Sequence, residues 1–269
     1  MTDLRQHHIA CGPGDVGRYV LLPGDPARCG VIAASLEAPR LIACNREFTT
    51  YTGTLLGETV SVTSTGIGCP STAIAVEELA AIGAHTFIRV GTSGGMQPHL
   101  ALGDLVIATA AVRDEGTSQQ YIPLAYPAVA HLDVTLALRQ AAQHCARAVH
   151  VGIVQSKDSF YGQHEPERMP IGAELVNRWQ AWRRGGVLCS EMEAATLFVV
   201  AGILGQRAGA VLMVAGNQER SAEHLAQDEE RGYDLGPLVA VAIDALKLLI
   251  EQDRSTAGAE SGRAGEAKE

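Results

Sequence analysis

Aromatic residues are scarce in this chain, 4% of 269 positions, and so is lysine, with three against eighteen arginines. So few rings exclude a β-sandwich packed on aromatics, whereas 29 glycines and a 46% hydrophobic fraction fit an α/β domain rich in tight strand-to-helix turns. A formal net charge of -9 excludes nucleic acid as the main partner, because a phosphate-backbone binder needs a concentrated basic face. The arginine excess fits anion sites that need planar forks, or a genome of biased base composition. No apolar run is long enough to span a bilayer; Ala194 to Leu204 has the length of a buried helix, so no membrane partner is expected. The six cysteines, Cys11, Cys29, Cys44, Cys69, Cys145 and Cys189, form no C-x-x-C pair and follow no signal peptide. They read as reduced thiols of a cytoplasmic protein. No glycine turn is followed by Gly-Lys-Ser/Thr, and none forms G-x-G-x-x-G with a later ribose acid, so neither a Walker loop nor a redox cofactor is implied.

What is present is a recurring unit: a short β-branched run, a glycine-bearing turn, then a helical stretch, the mark of strands feeding helices in a mostly parallel sheet. Strands are expected at Tyr19 to Leu22, Thr59 to Thr65, Thr86 to Val90, Leu105 to Val112, Val149 to Val154 and Ala208 to Ala215. Helical spacing of apolar residues predicts helices over Ser71 to Ile82, Leu132 to Ala146 and Leu235 to Ile250. One domain, 1–251, accounts for these elements. From Gln252 the composition turns to Ser, Gly, Ala, Glu and Lys, and 252–269 is expected to be a disordered polar tail.

Three glycine-rich turns follow predicted strands: Gly24-Asp25-Pro26-Ala27-Arg28, Thr65-Gly66-Ile67-Gly68 and Arg89-Val90-Gly91-Thr92-Ser93-Gly94-Gly95. Taken singly each is an ordinary turn; together, at strand ends, they mark where an open α/β sheet receives an anionic ligand. Ser190-Glu191-Met192-Glu193, ahead of the apolar run Ala194 to Val200, has the spacing of a capping box. A histidine as close to a terminus as His8 is ordinarily just solvated.

The strings Leu22-Pro23-Gly24-Asp25-Pro26, Asn45-Arg46-Glu47-Phe48-Thr49-Thr50, Ser64-Thr65-Gly66-Ile67-Gly68, Arg89-Val90-Gly91-Thr92 and Glu191-Met192-Glu193 resemble the nucleoside phosphorylase family, in its uridine phosphorylase branch. They run in order from about His8 to about Arg220. The resemblance implies a three-layer α/β/α fold with a distorted mixed central sheet. It implies a homo-oligomer, a dimer or a trimer of dimers, whose active sites are shared between subunits. Its partners would be a small nucleoside and inorganic phosphate as co-substrate, with no cofactor required.

Carried over residue by residue, the family implies a phosphate site of Gly24, Arg28, Arg89 and Thr92, with Arg46 from the neighbouring subunit. Ribose would be held by Glu191, Met192 and Glu193, with His8 (or His7, one register away) reaching across the dimer to the 5'-hydroxyl. A base pocket is implied at Phe160, which would stack on the ring, with Gln163 and Arg168 on the uracil carbonyls and N3–H. Many members place that arginine two residues after the glutamine; here it is five residues on. Arg168, Gln163, Glu193 and His8 are thus the expected catalytic set, with Arg220 the substitute should Arg168 stand elsewhere. Purine-specific relatives carry an aspartate near Gly216-Asn217, and no acid stands there. Some members hold a potassium ion at the dimer interface through residues matching Glu47, Ile67 and Ser71, so a possible potassium site is implied.

Overall fold

The computed structural model describes residues 5–220 and 234–266. In chain order its elements are β1 (Tyr19–Leu22), α1 (Ala27–Ala33), β2 (Glu37–Asn45), β3 (Phe48–Leu55), β4 (Glu58–Thr63), α2 (Cys69–Ala81), β5 (Thr86–Gly95), β6 (Leu105–Asp114), β7 (Ala128–Val129), α3 (Leu132–Ala141), β8 (Val149–Lys157), α4 (Phe160–His164), α5 (Gly172–Arg184), β9 (Cys189–Glu191), α6 (Ala194–Ile203), β10 (Arg207–Asn217) and α7 (Gly236–Glu266). Each of the six strands and three helices anticipated above has its counterpart. The hairpin β2–β3, the short elements β7, β9 and α4, and the 13-residue helix α5 lie outside the elements expected above.

The sheet runs β10-β6-β8-β9-β5-β1-β4-β3-β2, and β10 also pairs with β5. The strands β5, β10, β6, β8 and β9 therefore close on themselves, and β1, β4, β3 and β2 extend from that ring as a blade. Pairing is mixed: β1 is parallel to β4 and β5, whereas β10 is antiparallel to β6 and β9 antiparallel to β5. A register shift between Val214 and Gly216 bends β10 where it leaves the ring, as a bulge does. This is the distorted mixed sheet.

Both faces of the central strands are covered, which is why they read as continuous apolar runs rather than alternating ones. Val20, Leu22, Phe87, Val106 and Leu212 pack with α2 and α6 on one side. Tyr19, Leu21, Ile88, Leu105 and Val211 pack with α1, α3 and α7 on the other. The period of two along each strand thus distributes one run between two cores, and three layers result.

The tail departs from expectation. Helix α7 continues past Gln252 to Glu266, although Ser255, Thr256 and three glycines in that stretch are poor helix formers. Asp253 on that extension accepts hydrogen bonds from the Tyr19 hydroxyl at 2.7 Å and Arg207 Nη1 at 2.8 Å. Arg254 Nη2 donates to the Leu56 carbonyl at 2.6 Å. The predicted boundary at 252 is corrected accordingly; 267–269 lie outside the described residues.

Candidate active site

The carboxyl ends of β1, β4, β5, β8, β9 and β10 open into one cleft of ≈ 1080 Å³, the place where an α/β sheet receives ligands. Gly24, Arg28, Arg89 and Thr92 line it, as do Phe160, Gln163, Glu191, Met192 and Glu193. Residues as far apart in sequence as Gly24 and Gln218 are thereby gathered around one cleft.

Arg89 organises the anion end. It is 5% exposed, its Nε donates to Glu191 Oε2 at 2.8 Å, and its Nη2 stands 2.5 Å from Glu193 Oε2. Burial opposes the charge, but the two carboxylates outweigh it and the guanidinium is held more firmly protonated than usual. Its third nitrogen, Nη1, is buried with no hydrogen-bond partner. That nitrogen lies 4.0 Å from where a Cβ on Gly24 would stand, and a Cβ on Gly91 would meet the Arg89 Cζ at 2.8 Å. Glycine at 24 and 91 therefore leaves both room for an anion and room for the arginine. A buried donor without an acceptor costs about 1–3 kcal/mol, which a bound oxyanion would recover.

Glu191 and Glu193 divide their work differently from expectation. Glu191 Oε2 accepts from the backbone N–H groups of Glu193 and Ala194, both at 2.9 Å, while Oε1 takes the Ser156 hydroxyl and Ala194 N–H. Glu191 thus caps α6 and anchors Arg89 while lining the cleft. Glu193 accepts from Gly68 N–H at 2.6 Å and lines the cleft. Its carboxyl is raised above the ordinary range by burial, against the pull of Arg89. The capping box does not form. Ser190 faces the other way, donating to Gln163 Oε1 at 2.7 Å and accepting from Lys157 Nζ at 2.8 Å.

Another wall of the cleft is built by α4. Ser159 caps it by accepting from Gly162 N–H at 2.9 Å, which presents Phe160, 51% exposed, and Gln163 to the cleft. Arg168 is not brought there. It sits in the turn after α4 with its side chain 63% exposed, paired with Glu165 three residues back, because the longer spacing carries it beyond the turn that holds Gln163. Arg220, the substitute, donates to the Pro98 and Leu100 carbonyls at 3.3 and 3.4 Å and does not line the cleft either. Asn217, at the position where purine-specific relatives are expected to carry an acid, is committed to the scaffold, donating to the Gln97 and Leu100 carbonyls. Lys157 and Gln218 also line the cleft, and sequence reasoning does not single out Lys157. The one signal for it is a lone lysine closing a strand whose residues Val151 to Val154 are apolar or glycine before Gln155 and Ser156.

Arg46 and His8 do not line the cleft. Arg46 is exposed at the tip of the β2–β3 hairpin with φ +55°. His8 Nδ1 is 2.6 Å from Glu78 Oε1, and its backbone N–H donates to the same carboxylate; His7 is exposed and packs edge-on against it. Around Gly66, at φ +70°, the Glu47 side chain closes to 2.7 Å of a would-be Cβ, and Ser71 Oγ donates to the Ile67 carbonyl at 3.3 Å. The three residues expected at a potassium site are thus neighbours.

Residues 18–246 match the family model described as the phosphorylase superfamily. The chain is 52% identical over 248 residues to a uridine phosphorylase of Treponema pallidum, covering 92% of this chain and 95% of that one. It is 41% identical over 213 residues to a guanosine phosphorylase of Halorubrum lacusprofundi, covering 79% and 84%. A crystal structure of uridine phosphorylase from Vibrio fischeri, complexed with 6-hydroxy-1-naphthoic acid, superposes with a TM-score of 0.80 at 34% identity, covering 90% of this chain and 96% of that one. The matched span takes in every strand and glycine turn of the cleft, and the chain belongs to the phosphorylase superfamily.

Proposed function

We propose that the protein is a uridine phosphorylase, which uses inorganic phosphate to cleave uridine reversibly into uracil and α-ribose 1-phosphate. The observation that carries this reading is the unpartnered Nη1 of buried Arg89 beside Gly24, a donor preorganised for an oxyanion. Arg28 and Thr92 border the same corner, and Arg46 of a neighbouring subunit would complete it. Phosphate held there attacks C1' from one face of the ribose as the bond to N1 of uracil breaks on the other; the bonding pair leaves with the base. The sugar passes through an oxocarbenium-like state, and configuration inverts. Glu193 accepts from the ribose hydroxyls, an interaction that tightens as the sugar becomes cationic. Negative charge on the leaving uracil is met by Gln163; one such donor is worth roughly 3 kcal/mol. No protein nucleophile is required.

The oligomer with shared sites is part of the proposal, supported by the placement of Arg46 and His8 outside the cleft. So is a potassium ion at the subunit interface, held by the Glu47 carboxylate, the Ile67 carbonyl and the Ser71 hydroxyl. These are hard oxygen donors in one place, and the ion would add charge between subunits. A cytoplasmic setting agrees with six free thiols, and no helix among the described residues is long and apolar enough to cross a membrane.

The guanosine phosphorylase relative favours a second reading, purine cleavage, against which stands Asn217 in place of an acid. Initial rates with uridine, thymidine, inosine and guanosine, with and without phosphate, decide between them. Phosphate-dependent release of ribose 1-phosphate, fastest from uridine, is the expected result. Free ribose in phosphate-free buffer would overturn phosphorolysis, and faster guanosine cleavage would overturn the base assignment.

A further inference from the structure

Lys157 is a buried cation at the end of β8, 7% exposed, and it borders the cleft. It also borders a second chamber of ≈ 570 Å³ behind Gln163, lined by Asp114, Gln155 and Arg178 among others. Among the described residues no carboxylate comes within ion-pair distance of its Nζ, and the one acceptor it has is Ser190 Oγ at 2.8 Å. Parallel pairing of β8 with β9 sets this contact, since Gln155 lies opposite Ser190 and Ser156 opposite Glu191.

The donor inventory then determines the rest. An ammonium only donates, so Ser190 Oγ must accept from it. The single Ser190 hydroxyl hydrogen is left for Gln163, 2.7 Å away, and the atom it meets must be the amide oxygen. With one lone pair of Oε1 taken and the amide so turned, the Gln163 NH₂ is the edge directed at the cleft; Nε2 lies 3.8 Å from where a Cβ on Gly94 would stand. We propose that Lys157 is a positioning and specificity residue of the base subsite, fixing the Gln163 amide through Ser190 so that a donor, not an acceptor, faces the base. This rests on the uridine phosphorylase reading. Set against position 4 of the base, a donor there suits the carbonyl oxygen of uracil and opposes the 4-amino group of cytosine.

The device depends on the lysine proton. A neutral amine accepts as readily as it donates, which would let Ser190 reverse and Gln163 turn over, placing Oε1 in the cleft. The charged and titratable groups around Lys157 are Glu191 and Cys189 on β9, Glu193 at the start of α6, Asp114 on β6, His164 on α4 and Asp158 next in sequence; Arg178 of α5 pairs with Asp114. Burial pulls the ammonium down to about 8, with Glu191 and Glu193 opposing. The orientation is therefore enforced below that pH and released above it.

The test is kcat and KM for uridine and cytidine across pH 6–10 in the native enzyme, Lys157→Met, Lys157→Arg and Ser190→Ala. Native kcat/KM for uridine should fall above pH 8 beyond what the substrate's own N3–H ionisation causes. Lys157→Met and Ser190→Ala should each lower it about tenfold at pH 7, the scale of one aligned hydrogen bond, and narrow the uridine-to-cytidine ratio by a similar factor. Lys157→Arg, a donor that does not titrate in this range, should restore the ratio and carry activity to higher pH. Native-like ratios and a native alkaline limb in both Lys157→Met and Ser190→Ala would overturn the proposal. Ser190→Ala removes only one oxygen, so a folding defect in the lysine variant does not shield the idea. Calorimetric binding of uracil against cytosine gives the same ratio without turnover, so a native protein that fails to cleave uridine sinks the phosphorolysis reading while this ratio still decides the role of Lys157.

Discussion

Arg89 Nη2 lies 2.5 Å from Glu193 Oε2 while its Nε donates to Glu191 Oε2 at 2.8 Å, so one guanidinium compensates two buried carboxylates. Removing it strands both. Arg89→Met should destabilise the fold by about 3–5 kcal/mol, the usual cost of breaking a buried pair from one side, and should abolish phosphate saturation. Glu193→Gln leaves Arg89 its bond to Glu191, so the melting temperature should move little while kcat/KM for uridine falls on the order of 10²-fold. Thermal melts beside steady-state kinetics separate the two; equal destabilisation by both variants would contradict this division of labour.

The exposed Arg46 predicts complementation. A subunit carrying Arg46→Ala retains its own Arg28, and a subunit carrying Arg28→Ala retains Arg46 to lend. In a verified mixed dimer, one of the two sites then regains both arginines. Activity should return toward half the native value per dimer, from parents that are each nearly inactive. Absence of recovery would show that Arg46 serves its own chain.

Much of this was legible in the sequence because the evidence is local. β-branched runs ending in glycine-rich stretches mark the central strands, and the first such stretch places Gly24 just past β1; Arg89 and Thr92 stand inside β5, which continues to Gly95 where the glycines read as a turn. What was not legible depends on partners distant in the chain. Glu191 and Glu193 differ by two residues, yet only tertiary contact makes one a cap and the other a cleft carboxylate. Ser190 satisfies the spacing of a helix cap but is drawn off by Lys157, 33 positions earlier. The tail from Gln252 lacks apolar residues to announce it; its order comes from Asp253 meeting Arg207 on a strand in the core.

Arg168 gives a discriminating case. Because it is exposed and paired with Glu165, Arg168→Ala should leave kcat/KM for uridine within about threefold of native, as surface changes away from a site usually do. Gln163→Ala should cost on the order of 10²-fold, the loss of a donor that meets charge in the transition state. A large defect in Arg168→Ala would mean that the turn after α4 closes over bound uridine, which a loss of protease protection by substrate in that variant would confirm.

The last prediction concerns the anchor of α7. Asp253 accepts from Tyr19 and from Arg207, whose side chain is 10% exposed. Burial alone would raise the Asp253 carboxyl, but the hydrogen bonds of Arg207 and Tyr19 outweigh it and hold the group below its usual 3.8. The folded state therefore binds fewer protons here than the unfolded chain, so this stabilisation is fully present above pH 3.8 and is lost as pH falls through the lower, folded value. Asp253→Asn should cost about 3 kcal/mol near neutrality, because it leaves Arg207 a buried unpaired cation, lowering the melting temperature on the order of 10 °C for a chain of this size. The gap to native should stay level from pH 8 to 5 and close in acid. On the alkaline side the sign reverses: the Tyr19 phenol is pushed from 10.0 up to about 12, first by burial and then by Asp253. Native stability should thus decline from pH 10 to 12 as an unfolded tyrosine ionises first. Truncation after Gln252 should reproduce the neutral-pH loss, and an unchanged melting temperature in both variants would show that the extension of α7 contributes nothing to the fold.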